Sequence, residues 1–315
     1  MSTASNALRD IRPPLESFKG KKPPYPAWLK TALAAECETG SVAVEGATIS
    51  WKAWGERGLP GVMLVHGGVA HKQWWDAIAP FLPGLRVVAI DLSGMGDSGH
   101  RDVYRMPLYA EEVKAVGAAA GLFEAGKPFL AGHSFGGFVT LMAAMTFGEQ
   151  LAGAIILDSP VRPPDEQRRS SPPQRGGKVY DDMETPIARF RLLPPQPCEQ
   201  VAVVDHIARN SLKSVEGGFS WKFDVNLWAK LEYQRRDPDV LRDTAQCPLA
   251  FFRGADTSLV TDEIWDFMAA TFGPDTPMIS IPDAQHHLIL DQPLAVAASL
   301  QTLMESGWGQ GRSAR

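Results

Sequence analysis

The feature that most constrains this chain is a series of short, almost unbroken apolar runs, each closed by a glycine- or aspartate-bearing turn. They are VMLVHGG (62–68), RVVAIDLSG (86–94), KPFLAGHS (127–134) and AGAIILDSP (152–160). A run without polar alternation suits a strand covered on both faces, as in a parallel sheet flanked by helices. Helix-like stretches at 72–82, 107–121 and 135–147 separate the runs and supply a β-α-β rhythm. Ahead of them, SVAVEG and ATISWKAWG alternate polar and apolar residues around Glu45-Gly46, which predicts a β-hairpin. The rhythm breaks between Val161 and Cys247. It resumes with PLAFFRG (248–254), a helix near 260–272, a strand at 277–281 and a helix near 288–305. The expected fold class is therefore α/β: a mostly parallel central sheet with helices on both faces and a helical cap inserted after the sixth strand. The expected divisions are an arm with a short helix near Ala27–Glu36 (1–40), a core (41–160 and 248–305), the cap (161–247) and a frayed tail (306–315). The early part of that arm, PPLESFKGKKPPYP, reads as extended and weakly ordered, and Arg168-Arg169 in the cap as a solvated surface pair.

In open parallel sheets ligands bind at the carboxyl ends of the strands, so the turns that close the runs are where chemistry is sought. Composition narrows the classes. Net charge is −5 and no long basic tract occurs, so nucleic acid and anionic membrane surfaces are not expected partners. No apolar run reaches the roughly 18 residues of a membrane span, and MSTASNALRDIRPP carries no apolar export segment. The three cysteines, Cys37, Cys198 and Cys247, form neither a disulfide ladder nor a metal spacing, which suits a reducing compartment. The expectation is a cytoplasmic protein, monomer or homodimer, that acts on a small molecule and uses no metal or cofactor. The glycines of DLSGMGDSG (91–99) fit neither a dinucleotide fingerprint nor a P-loop.

GHSFG (132–136) fits G-x-S-x-G between an apolar strand and a helix, the context that motif requires. A sharp strand-to-helix turn would hold Ser134 in strained geometry, its Oγ standing at a helix N-terminus that favours developing negative charge. Serine is a poor nucleophile at its own pKa and needs a base to take its proton.

Taken in order, LVHGG (64–68), DLSGMGDSG (91–99), GHSFGG (132–137), LDSPV (157–161) and AQHHLILDQP (284–293) resemble the landmarks of the α/β-hydrolase superfamily, over nearly all of 41–305. The resemblance implies roles. His286 matches the catalytic histidine, with His287 as a packing neighbour. Backbone N–H groups of Gly68 and Phe135 would form the oxyanion hole, with Val69 the fallback for the first. His66, Trp74-Trp75 and the loop of Asp91, Gly94, Gly96 and Ser98 read as structural.

The acid has two candidates. The family's usual position, three residues after a glycine resembling Gly254, is Thr257 here, and Asp256 lies one residue early. Some α/β-hydrolases instead carry the acid after the sixth strand, where LDSPV offers Asp158, 24 residues beyond Ser134. Asp158 is favoured and Asp256 is the alternative. The cap aromatics Phe190, Trp221, Phe223 and Trp228 could line an apolar pocket over Ser134, with a place in the cap core favoured for any one of them, and Trp221, Phe223 and Trp228 are carried as the pocket candidates. The implied function is a cofactor-independent serine hydrolase of a small, fairly apolar carboxylic ester. The alternatives are C–C bond hydrolysis of a ring-cleavage dienoate or β-diketone, and a non-catalytic binding protein on the same fold.

Overall fold

In the computed structural model, which describes residues 11–166, 177–233 and 235–308, eight strands form one sheet. They are β1 Glu38–Val44, β2 Ala47–Trp54, β3 Gly61–Val65, β4 Arg86–Ile90, β5 Phe129–His133, β6 Gly153–Leu157, β7 Leu249–Gly254 and β8 Met278–Ile281. Their spatial order is β1-β2-β4-β3-β5-β6-β7-β8. The β1–β2 and β2–β4 pairs are antiparallel and all the others parallel. The hairpin closes on Glu45 (φ 44°) and Gly46 (φ 80°), the two left-handed residues of a tight two-residue turn.

The unbroken apolar runs become the middle of the sheet. β3, β4 and β6 are buried at every residue, and β5 at all but its first. Alternate residues face opposite layers. Val62, Leu64, Val87, Ala89, Ile155 and Leu157 join one cluster, packed with Leu29 of helix α1 (Ala27–Leu33). Met63, Val65, Val88, Ile90 and Leu130 face the other, against Val113 of α2 (Met106–Ala119) and Val139 of α3 (Phe135–Phe147). Each aliphatic side chain removed from water contributes about 1.5–3 kcal/mol. Helix α4 (Val201–Asn210) joins the first face, as does α6 (Pro293–Glu305). Helix α5 (Asp262–Phe272) covers β7 on the second, through Ile264 and Met268.

Four expectations change. Residues 72–82 form two 3-10 turns, Lys72–Trp75 and Ala79–Phe81, rather than a helix. Pro80 lacks an N–H and its ring would clash with the carbonyl four residues back, and buried Lys72 is pinned to Asp91 and Asp97. The stretch between β6 and β7 is less helical than expected. Beside α4 it holds short helices at Glu184–Ala188, Leu227–Lys230 and Pro238–Thr244, and a hairpin of Leu212–Val215 with Gly218–Trp221. Gly217 and Gly218, both at positive φ, turn that hairpin. Residues 11–26 are a packed strap, not an extended arm. Leu15 is fully buried, Tyr25 donates to Asp205 of α4, and Arg209 donates to the carbonyl of Gly20. The predicted last helix also divides, at Pro293, into Leu288–Asp291 and α6. Arg168-Arg169 and all but the start of the predicted tail lie outside the described residues. No helix among the described residues is long and apolar enough to cross a membrane.

Candidate active site

Ser134 sits between β5 and α3 with φ 54° and ψ −117°, a conformation that costs about 1–3 kcal/mol for a non-glycine residue. The surroundings hold it there. Its N–H donates to the carbonyl of Leu157 (2.9 Å), and its own carbonyl accepts from Ser159 Oγ (2.7 Å). The glycine at 132 is obligatory, because a Cβ there would lie 2.2 Å from the Gly136 carbonyl oxygen. Ser134 itself stays half-buried, unlike its buried neighbours His133 and Phe135.

The loop after β8 brings His286 to Ser134. Nε2 lies 3.0 Å from Ser134 Oγ, and Nδ1 lies 2.9 Å from Asp158 Oδ1. Asp158 is fully buried at the end of β6, at φ 48°, where the chain turns left-handed and aims the carboxylate across the sheet edge. The carboxylate is well satisfied: Oδ2 accepts from the N–H of Gly254 (2.9 Å), and Oδ1 also accepts from Thr257 Oγ1 (2.8 Å). With Nδ1 donating to a carboxylate, Nε2 is left as the acceptor facing the serine hydroxyl. Asp256 is exposed, and it joins the histidine loop only through its backbone N–H, which donates to Ala284 O (2.9 Å). The structure thus brings Ser134, His286 and Asp158 into one chain and leaves the Asp256 side chain outside it.

Residues that the sequence reading passed over hold the histidine loop. His133, the variable residue of the elbow, donates from Nε2 to the His286 carbonyl (2.8 Å), and burial pushes its pKa down to about 3, so it stays neutral. Gln196 accepts from the His287 N–H (2.9 Å) and donates to Asp291, which in turn accepts from the Gln285 N–H (2.8 Å). Burial raises the Asp291 carboxyl above the usual carboxylate range. The adjacency of DQP to the HH pair is the only sequence signal that could have pointed to Asp291. Gln196, 90 residues upstream of His286, had none.

Of the expected oxyanion-hole residues, Gly68 and Phe135 are adjacent. A Cβ on Gly68 would sit 3.6 Å from that of Phe135 and 2.7 Å from the Trp228 ring, so only glycine fits beneath this indole. The Val69 N–H is aimed at Met95 Sδ (3.1 Å), which removes it as the fallback donor. Trp228 meets Phe135 edge to face (centroids 5.6 Å apart) and is the one candidate pocket aromatic seated on this turn. Trp221 packs instead with Phe190 and Tyr180 inside the insert, and Phe223 bridges to the backbone of Met95. Trp221 is thus held by the insert's own packing and Phe223 against the core.

The residues expected as structural form the frame. His66 bonds the Gly67 carbonyl through Nδ1 (2.7 Å) and accepts the Leu92 N–H at Nε2 (3.1 Å). Asp91 accepts from the N–H and Nζ of Lys72 and from the Asp97 N–H. Burial pulls the Lys72 ammonium toward neutrality, but Asp91 and Asp97 more than offset it, and its pKa ends raised. His71 bonds Ser211 Oγ (2.8 Å) and His206 bonds Asp76 (2.8 Å), tying the glycine turn to the insert. An open polar groove of about 710 Å³, lined by residues such as Glu45, Arg101, Arg105 and Glu111, does not include Ser134.

With this geometry in hand, comparisons with known proteins become informative. The human serine hydrolase-like protein is 34% identical over 124 residues, covering 38% of this chain and 60% of that protein. The chain therefore matches less than two thirds of that curated relative's length. Among solved structures, the thioesterase domain from the curacin biosynthetic pathway superposes with a TM-score of 0.69 at 22% identity, over 86% of this chain and 99% of that one. A thermophilic esterase from Thermogutta terrifontis gives 0.62 at 24% identity, over 87% and 100%. These structural likenesses share the fold. The model of the alpha/beta hydrolase family matches residues 62–299, most of the chain and every landmark above. The chain belongs to the alpha/beta hydrolase family.

Proposed function

We propose that this protein is a cofactor-independent serine hydrolase that cleaves a carboxylic ester of a small, fairly apolar substrate. The observation that carries the reading is the hydrogen-bonded chain Asp158–His286–Ser134, ending on a half-buried hydroxyl in a strained turn. His286 Nε2 takes the Ser134 proton as Oγ attacks the ester carbonyl carbon. Asp158 holds the imidazole tautomer and stabilises its protonated form. The Gly68 and Phe135 amides donate to the developing oxyanion. The tetrahedral intermediate then collapses, and His286 returns the proton to the departing alkoxide. Water, deprotonated by the same nitrogen, attacks the acyl-enzyme and releases the acid with Ser134 restored. Trp228 over the glycine turn supports an apolar acyl or alcohol group. The names of the human relative and of the esterase neighbour point the same way.

A C–C hydrolase acting on a dienoate needs a cation for the substrate carboxylate. Two of the insert's cations, Lys222 and Lys230, are already paired with Asp97 and Asp224, which supports the ester. The test is turnover of p-nitrophenyl acetate and butyrate, with fluorophosphonate labelling of Ser134. Both are expected, and Ser134→Ala should lose on the order of 10⁶-fold in kcat. Absence of turnover and of label would favour a binding protein. Turnover of a dienoate instead of the esters would favour C–C cleavage.

A further inference from the structure

Three histidines converge behind the nucleophile. His133, His286 and His287 each offer one ring nitrogen, and the three atoms lie within 4.8 Å of one another. All three residues are buried, at 1–3% exposure. Their ring centroids are 4.9, 4.8 and 5.6 Å apart. His286 and His133 have duties already described. His287 does not. Neither its Nδ1 nor its Nε2 makes a hydrogen bond among the described residues, although the Pro194 carbonyl faces its ring, and His133 Nδ1 is also unpartnered. A buried imidazole nitrogen left without a partner costs about 1–3 kcal/mol. A neutral imidazole carries one lone pair, so His133 Nδ1 and one nitrogen of His287 leave two buried lone pairs in one place, which call for an occupant that bonds to them.

We propose that these three imidazoles form an inhibitory site for a borderline divalent transition metal such as Zn²⁺. The donor chemistry fits. His133 donates from Nε2 to the His286 carbonyl, which leaves its Nδ1 with a lone pair and no partner among the described residues. Three imidazoles suit Zn²⁺, Cu²⁺ or Ni²⁺ and not Mg²⁺ or Ca²⁺, which take oxygen ligands. His286 is already oriented as a zinc ligand usually is, with Nδ1 donating to the Asp158 carboxylate and the Nε2 lone pair turned to Ser134 Oγ. A tetrahedral ion with bonds of about 2.0–2.1 Å needs its nitrogens roughly 3.4 Å apart, so the rings close by about 1.4 Å from their widest separation. His286 Nε2 must then leave Ser134 Oγ, which disarms the nucleophile. The residues are far apart or adjacent in sequence, at 133, 286 and 287, so no spacing motif announces them.

Only the inhibitory consequence rests on the serine-hydrolase reading; binding itself does not. The test therefore begins with Ser134→Ala protein, titrated with ZnCl₂ by calorimetry and with CoCl₂ by visible absorption. One ion per chain in this site and a tetrahedral Co²⁺ band are expected. His287→Phe, which keeps the ring packed on Trp74 without a ligand nitrogen, should weaken binding by at least about tenfold. His287→Gln is the second variant should the first not fold. In the otherwise wild-type enzyme, Zn²⁺ should slow fluorophosphonate labelling of Ser134 and ester turnover, EDTA should restore both, and His287→Phe should resist. Equal Zn²⁺ affinity in Ser134→Ala with and without the His287 change, or binding that leaves Ser134 labelling untouched, overturns the proposal. No binding at all overturns it as well.

Discussion

β6 ends in LDSP and β7 in RGADT, two neighbouring parallel strands whose following turns each carry an aspartate. Asp158 is buried, sits in a left-handed turn and accepts from His286, Thr257 and the Gly254 N–H. Asp256 is exposed and contributes a backbone N–H to the loop. What separates them is phase. One residue further on, the β7 turn does point into the site, but there the side chain is the Thr257 hydroxyl, which donates to the very Asp158 oxygen that His286 uses. Two strand ends therefore share one site, one supplying charge and the other fixing where that charge sits.

The comparison can be broken by moving the charge. In Asp158→Asn the acid is lost, and adding Thr257→Asp should return at least about 30-fold of the lost kcat, because that position already reaches the triad. No recovery, with the fold intact, would mean that the β7 turn only packs there. Thr257→Val sharpens the point: losing one hydrogen bond to a charged group should cost about tenfold in kcat with KM little changed.

The same burial predicts a pH dependence of stability. Burial lowers His71 to about 4 and His133 to about 3, so both are neutral when folded, while the unfolded chain takes up protons near pH 6.5. Stability is full above pH 6.5 and falls as pH drops through the window toward 4, by up to about 1.4 kcal/mol per unit for each group. Tm at pH 5 should lie at least about 4 °C below that at pH 7. A flat profile would mean that these rings are solvated. The smallest effect belongs to Asp256→Asn, which should change kcat by less than about twofold, as expected of an exposed turn residue.

Much of this was legible in the sequence, and the boundary is physical. Strands buried on both faces announce themselves as unbroken apolar runs, and the elbow and histidine loop occupy fixed places at strand ends. Counting from Gly254 was enough to direct attention to Asp158, since one residue changes where a turn side chain points. Lys72–Phe81 was not legible as 3-10 turns, because its length and polarity suit a helix until Pro80 and the buried lysine are placed in space. Gln196, Asp291 and His133 were hidden for another reason: their hydrogen bonds join segments 90 or more residues apart, or turn on which ring nitrogen is free. Trp228 could be told from Trp221 and Phe223 only once the insert was folded onto the glycine turn.

The most direct test of the account compares the two aspartates in one assay. Asp158→Asn and Asp256→Asn would be purified side by side and their kcat measured on p-nitrophenyl butyrate, with Tm recorded to confirm folding. The account predicts a loss of about 10⁴-fold for Asp158→Asn and nearly full activity for Asp256→Asn. A folded Asp158→Asn enzyme within about tenfold of wild type, or a large loss in Asp256→Asn, would contradict it.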